Sequence, residues 1–245
     1  AGVYQVLPGE SLRNVIARAG GLTPQAYLFG SEFTRESVRE MQQKRFDEFV
    51  DRLERDVERT ASTRSQNVTS VEEAAGLKDK VDSQRRLVEK LRTTKAPGRL
   101  VLGLRTDQTG AESIPDISLE NGDRFVIPYR PATINVIGAV NNENSFLHQP
   151  GRSPAYYLRK AGGGTRLGDT GHTFIVRADG SIVGRSGARG WFGEGFDGIQ
   201  LMPGDTIVVP ERLNQTSILK GLRDWSQVFY QMALGVAAIR TFSRP

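Results

Sequence analysis

Two halves of the chain repeat one another, and that repeat limits the folds open to it. PGESLRNVIARAGG runs from Pro8 to Gly21, and PGRSPAYYLRKAGG runs from Pro150 to Gly163, an offset of 142. Further on, ISLENGDRFVIP ends at Pro128 and IQLMPGDTIVVP ends at Pro210, an offset of 82. The difference of 60 between those offsets is the size of an insertion inside the first copy. Each copy reads in the same order: strand, Pro-Gly turn, short helix closed by Gly-Gly, hairpin, then a strand after Gly-Asp.

The chemistry of each step is legible. Gly20 and Gly162 supply the left-handed residue that stops a helix. Asp179-Gly180, between the alternating apolar positions of FIVRADGSIVGR, predicts a tight hairpin. Arg99 to Leu104 reads as the matching strand of the first copy. Phe125 to Ile127 and Ile207 to Val209 are short buried runs, each ended by Pro. Thr133 to Val140 reads as the strand that opens the second module. A small sheet holding one helix is the economical fold for such a unit, so the fold class is α+β.

The insertion differs in character. Between Arg35 and Lys95 there are 15 basic and 13 acidic residues, no Pro, and a single Gly at Gly76. Val38, Met41, Phe46, Phe49, Val50, Leu53 and Val57 mark one helix. Val71, Ala74, Val81, Val88 and Leu91 mark another. The polar stretch Ser62 to Thr69 separates them, and Ser70 with Glu73 forms a capping box at the second start. Glu48 with Arg52, and Asp51 with Arg55, sit one turn apart. A helical hairpin over residues 35–95 is predicted, either as a solvated structural element or as a docking surface.

The tail carries a different pattern. Ile218, Leu222, Trp225, Phe229, Met232, Val236 and Ile239 fall on one helical stripe, spaced alternately four and three apart. Lys220, Asp224, Gln227 and Gln231 fall on a second, polar stripe. From Trp225 to Ile239 there is no charge. A helix of that length is roughly 33 Å long at ~1.5 Å per residue, enough to span a hydrocarbon core of about 30 Å. Trp225 near its start, with Arg240 and Arg244 beyond its end, would serve as interfacial anchors. A lone helix bearing Asp224, Gln227 and Gln231 spans lipid poorly, because polar groups there are costly. In a ring those groups would face water. The other reading is an amphipathic helix packed on its own module or lying on a membrane surface.

Composition excludes more than it selects. The formal charge is +5, from 33 basic and 28 acidic residues with no single-sign block, so nucleic acid is not an indicated partner. Cysteine is absent, which excludes zinc ribbons, thiol catalysis and disulfide frameworks. The chain does not begin with Met and shows no signal peptide, and is read as processed or truncated. The sequons at Asn67 and Asn214 are read as chance.

Enzymatic readings fare badly. AGGGTRLGDTG, from Ala161 to Gly171, follows a helix where a phosphate loop would lead into one, and it has no Gly-Lys-Ser/Thr ending. His148 and His172 are the only histidines, with no carboxylate pair at metal-ligand spacing. Asp123 and Asp205 recur in equivalent Gly-Asp turns, which argues for turn geometry over catalysis. Trp191 and Phe192 are read as capping a module's core in preference to contacting sugar. No catalytic residue, cofactor or metal is expected.

The paired Pro-Gly, Ala-Gly-Gly and Gly-Asp-x-x-x-x-Pro signatures, with INVIGAVNNENSFLHQPG from Ile134 to Gly151, resemble a known family. They are similar to the soluble-ligand-binding β-grasp (SLBB) modules of bacterial outer-membrane polysaccharide export proteins of the Wza type. The resemblance implies two tandem β-grasp domains, residues 1–131 with the hairpin insertion and residues 132–213, then an amphipathic transmembrane helix over residues 217–243. It implies a homo-oligomeric ring in the outer membrane of a Gram-negative bacterium, with periplasmic domains and a barrel of tail helices passing capsular polysaccharide or exopolysaccharide. Leu222, Trp225, Phe229, Met232, Val236 and Ile239 would then face lipid, and Lys220, Asp224, Gln227 and Gln231 the pore. The implied partners are the polysaccharide in transit, outer-membrane lipid, and an inner-membrane polysaccharide co-polymerase or ABC-type exporter. Two features depart from the family: its N-terminal export domain with a lipidated Cys is missing, and the first module lacks its opening strand. A periplasmic capsule protein of the GfcC type shares the two modules, the hairpin and the tail helix without being a pore. It leaves open a soluble binding or scaffolding role.

Overall fold

The computed structural model describes residues 2–65, 70–185 and 195–212. They divide into two units: residues 2–36 with 99–185 and 195–212, and residues 37–65 with 70–98. The architecture is α+β.

The first unit contains both repeats. In the earlier one, helix α1 (Leu12–Arg18) starts at Ser11, whose hydroxyl accepts from the Asn14 amide, and stops at Gly20 with φ of 99°. Its strands β1 (Glu32–Thr34), β2 (Arg99–Leu100) and β3 (Arg124–Val126) form an antiparallel sheet in the order β2-β1-β3. Leu12, Ile16, Leu28, Phe33, Leu104 and Ile114 bury its core. The strand expected over Arg99 to Leu104 is shorter than its apolar pattern suggested. β1 offers only three residues, so Arg99 and Leu100 find ladder partners. Leu104 then reaches the core from irregular backbone that turns at Gly103.

The later repeat is fuller. Strands β4 (Thr133–Gly138), β5 (Asn144–Leu147), β6 (Phe174–Val176), β7 (Ile182–Gly184) and β8 (Thr206–Val209) make a five-stranded sheet ordered β5-β4-β8-β6-β7. Helix α4 (Pro154–Lys160) packs on it through Tyr157, which is fully buried with Ile134, Val136, Ile175, Ile207 and Val209. Asp179-Gly180 makes the predicted turn between β6 and β7, with Gly180 at φ of 88°. β4 and β8 run parallel, from Asn135 opposite Thr206 to Gly138 opposite Val209.

The expected strand over Thr133 to Val140 ends at Gly138, where φ is 93° and a Cβ would stand 2.2 Å from the Val209 carbonyl oxygen. Gly138→Ala is therefore expected to cost more than ~2 kcal/mol, from left-handed strain plus a backbone clash. Gly9→Ala, at φ of 77° with nothing within 4 Å, should cost only about 1 kcal/mol. Urea titration of the two variants checks this, and equal costs would show that β4 and β8 relax apart freely.

The second unit is a helical hairpin of α2 (Glu36–Ser65) and α3 (Val71–Arg92). Phe46, Val50, Leu53, Val57, Val81, Val88 and Leu91 form its core. Ser70 caps α3, accepting from the Glu73 amide at 3.1 Å. Asp51 does not lean along its own helix to Arg55; with Glu54 it reaches across to Arg92, while Glu58 meets Arg85. The order of those crossings, residue 51 to 92 and residue 58 to 85, is that of two antiparallel helices. Met41, Val71 and Ala74, expected on the apolar faces, are exposed. Beyond Ala61 helix α2 carries only polar residues, so nothing apolar faces the first turns of α3. At the base, Gln43 accepts from the Ala96 amide and Gln42 from the Gly98 amide.

Candidate functional site

Most of the residues singled out for function lie outside the described residues. That holds for the lipid-facing and pore-facing stripes of the tail and for Trp191 and Phe192. Among the described residues, Tyr27, Arg99, Arg177 and Asp205 bring polar side chains together where the two repeats meet.

The Gly-Asp turns are built alike, and each uses an arginine that directly follows a strand, Arg35 after β1 and Arg177 after β6. Arg35 and Arg177 stand 142 residues apart, the offset of the first repeat segment. Arg35 grips Asp123 with both Nε (2.9 Å) and Nη2 (2.7 Å), while Asp123 also accepts from the Glu120 amide. Asp205 accepts from the Ala178 amide (2.9 Å) and the Met202 amide (2.8 Å), with Arg177 Nε at 3.2 Å from its Oδ2. That Nε contact has ion-pair proximity but not hydrogen-bond direction. The aspartates are turn residues, as their symmetry implied. The arginine partners escaped notice, although the same offset would have found them.

Asp205 differs from Asp123 in being completely buried. Burial pushes its carboxyl up to about 6, and Arg177 with the two amides offsets only part of that rise. Close by, Tyr27 donates its hydroxyl to the Pro203 carbonyl oxygen at 2.9 Å. Burial first, and the Asp205 charge second, push that phenol up to about 12. The Arg177 guanidinium lies 5.4 Å from the Phe29 ring centre, and Arg130 lies 5.8 Å from that of Tyr27. Arg99, almost fully buried, donates to the carbonyl oxygens of Ser31 in the first repeat and Ala178 in the second. The cluster has no nucleophile beside a base. The hydrogen bonds of Tyr27, Arg99 and Asp205 run to backbone groups, and the chemistry of the cluster is that of a joint that locks one module against the next.

The other candidates resolve similarly. In Ala161 to Gly171 the amides of Gly162, Gly163, Thr165, Gly168 and Asp169 all donate to backbone carbonyls, so none of these is left for an anion. His148 Nε2 lies 3.0 Å from the Leu201 carbonyl oxygen, and His172 Nδ1 lies 2.7 Å from Asp169 Oδ2. Among the described residues, no group of three or more His, Cys, Asp or Glu side chains could hold a metal. No helix among them is long and apolar enough to cross a membrane.

Comparison with known proteins adds a second line. Residues 1–35 match the SLBB domain. Along 235 residues, 96% of its length, the chain is 26% identical to two versions of the polysialic acid transport protein KpsD of Escherichia coli. It spans 38% of the length of those relatives.

Proposed function

We propose that this chain, a relative of the SLBB-bearing polysaccharide export proteins of the Wza and KpsD type, is part of a machine that exports capsular polysaccharide or exopolysaccharide. The observation that carries the reading is the continuity of the KpsD likeness across both repeats, the insertion and the tail. A short shared motif would support only a shared module.

On this reading the repeats are two tandem β-grasp domains, residues 1–131 and 132–213, that stack as rigid layers. The joint of Tyr27, Arg99, Arg177 and Asp205 suits that task, since a ring needs its layers at a fixed angle. Residues 217–243 form one amphipathic stave per subunit, and a closed ring of staves hides the Asp224, Gln227 and Gln231 stripe from lipid. The subunits sit in the outer membrane with their β-grasp domains in the periplasm, facing an inner-membrane co-polymerase or ABC-type exporter. A finished sugar chain passes without covalent chemistry, so no catalytic group or cofactor is required.

Light scattering on the detergent-extracted assembly, with and without residues 217–245, tests this. The whole chain should give a large ring that leaves the membrane when the tail is removed. A monomer of unchanged solubility in both cases would overturn the pore and favour a soluble periplasmic scaffold.

A further inference from the structure

The helical hairpin carries charge that its own fold does not use. On the side of α2 that faces α3, Asp51 and Glu54 meet Arg92, and Glu58 meets Arg85. The opposite side is basic. Arg45, Glu48, Arg52, Arg55 and Arg59 recur at spacings of three and four in turn, so they form one stripe along the helix. All five are exposed, while Phe46, Val50, Leu53 and Val57 are buried on the other side. Among the described residues none of the five has an ion-pair partner.

The stripe's possible ligands follow from what it lacks. Between Met41 and Ser62 it holds no apolar or aromatic side chain. A protein interface is built round an apolar, aromatic or desolvated anchor, and a helix lying on a membrane needs an apolar face. Single-stranded nucleic acid stacks its bases on aromatic platforms. A hydrophilic chain that carries negative charge along its length needs none of these. All four cations of the stripe are Arg, whose planar fork matches a carboxylate. Arg45 and Arg59 stand ~21 Å apart at ~1.5 Å per residue, so a ligand must be extended to meet all four. Each exposed pair is weak alone, and several on one chain add up. Glu48 interrupts the row and loosens the grip. Weak, repeated contacts suit a polymer that must also move on.

We propose that the arginine stripe of α2 is a track for an extended acidic polysaccharide, with Arg45, Arg52, Arg55 and Arg59 pairing carboxylates along the sugar chain. The track rests on the export reading, and adds to it the place where the polymer is held and the charge that the polymer carries.

The test uses the full chain in detergent, with fluorescent polygalacturonate as the probe. Binding should weaken steeply as salt rises. Replacing the four arginines together (Arg45→Gln, Arg52→Gln, Arg55→Gln and Arg59→Gln) should lower affinity at least about tenfold at low salt. Removing four positive charges from α3 instead (Lys78→Gln, Lys80→Gln, Arg86→Gln and Lys90→Gln) should change it less than about twofold. Gln has nearly the helix propensity of Arg and Lys, so both variants keep the hairpin, which circular dichroism checks. Oligogalacturonates should gain affinity with length until they span ~21 Å. Equal losses in the two variants, no dependence on length, or neutral dextran binding as tightly as polygalacturonate overturns the track. Tighter binding of single-stranded oligothymidylate, lost with the same four arginines, assigns the stripe to nucleic acid and overturns it too. Light scattering of the same samples reads the ring separately. A ring without stripe-dependent binding overturns the track and not the export reading, whereas stripe-dependent binding by a monomer overturns the pore and not the track.

Discussion

Asp205→Ala is expected to lower the unfolding free energy by about 3 kcal/mol or more at pH 4.5, and by distinctly less at pH 7.5. The loss at acid pH has a local origin. The variant strands the Ala178 and Met202 amides in a site with no exposure, and each unmade buried bond costs about 1–3 kcal/mol. The pH dependence follows from the carboxyl itself. Its ordinary value is 3.8 and burial raises it to about 6, so between these values the folded chain holds a proton that the unfolded chain has released. Stability from this group is therefore fully present below pH ~4, declines as pH rises through ~6, and is level above that. A shift of about two units corresponds to about 3 kcal/mol across that window. The alanine variant lacks the decline, so the two stability curves converge toward neutral pH. Urea titrations at four pH values across the window check it. A cost independent of pH would mean that Arg177 and the amides hold Asp205 ionised throughout.

Much of this architecture was legible in the chain because it is written twice. The offsets of 142 and 82 located the insertion, and Gly20, Gly162, Gly180 and the Ser70 cap all do locally what their residue types favour. Local chemistry is legible when it involves neighbours in sequence. The joint was not legible, because Tyr27 and Pro203, or Arg99 and Ala178, meet only after both modules fold. An arginine on a strand end looks like any solvated charge until an aspartate 88 residues away is placed beneath it, as for Arg35 and Asp123. The hairpin shows the opposite error. Periodicity put Met41 and Val71 on apolar faces, but periodicity names a stripe without saying how far along it a partner extends. The tail stripes fall outside the described residues, so their assignment rests on spacing and kinship.

Phe229→Asp provides the decisive test of that assignment. Phe229 lies near the middle of the stretch from Ile218 to Ile239, where the proposed stave would be deepest in lipid. Exchanging an aromatic ring for a carboxylate at that depth costs roughly 3 kcal/mol per helix, more than a hundredfold in partition. Every subunit of a ring carries the same penalty, so membrane association should fall to background. Gln231 sits two residues further on, on the polar stripe, and Gln231→Ala should leave association unchanged because its side chain would face water. Membrane flotation of both variants reads the difference, and an unchanged urea midpoint for the two repeats separates failed insertion from misfolding. Equal losses would mean that the two stripes are wrongly assigned. Full retention of Phe229→Asp on the membrane would mean that the tail does not enter lipid. A helix packed on its own module would show a third pattern, in which Phe229→Asp lowers the urea midpoint and leaves membrane association as it is in the parent chain. The two readouts thus distinguish a stave from a packed helix, which the amphipathic pattern alone does not.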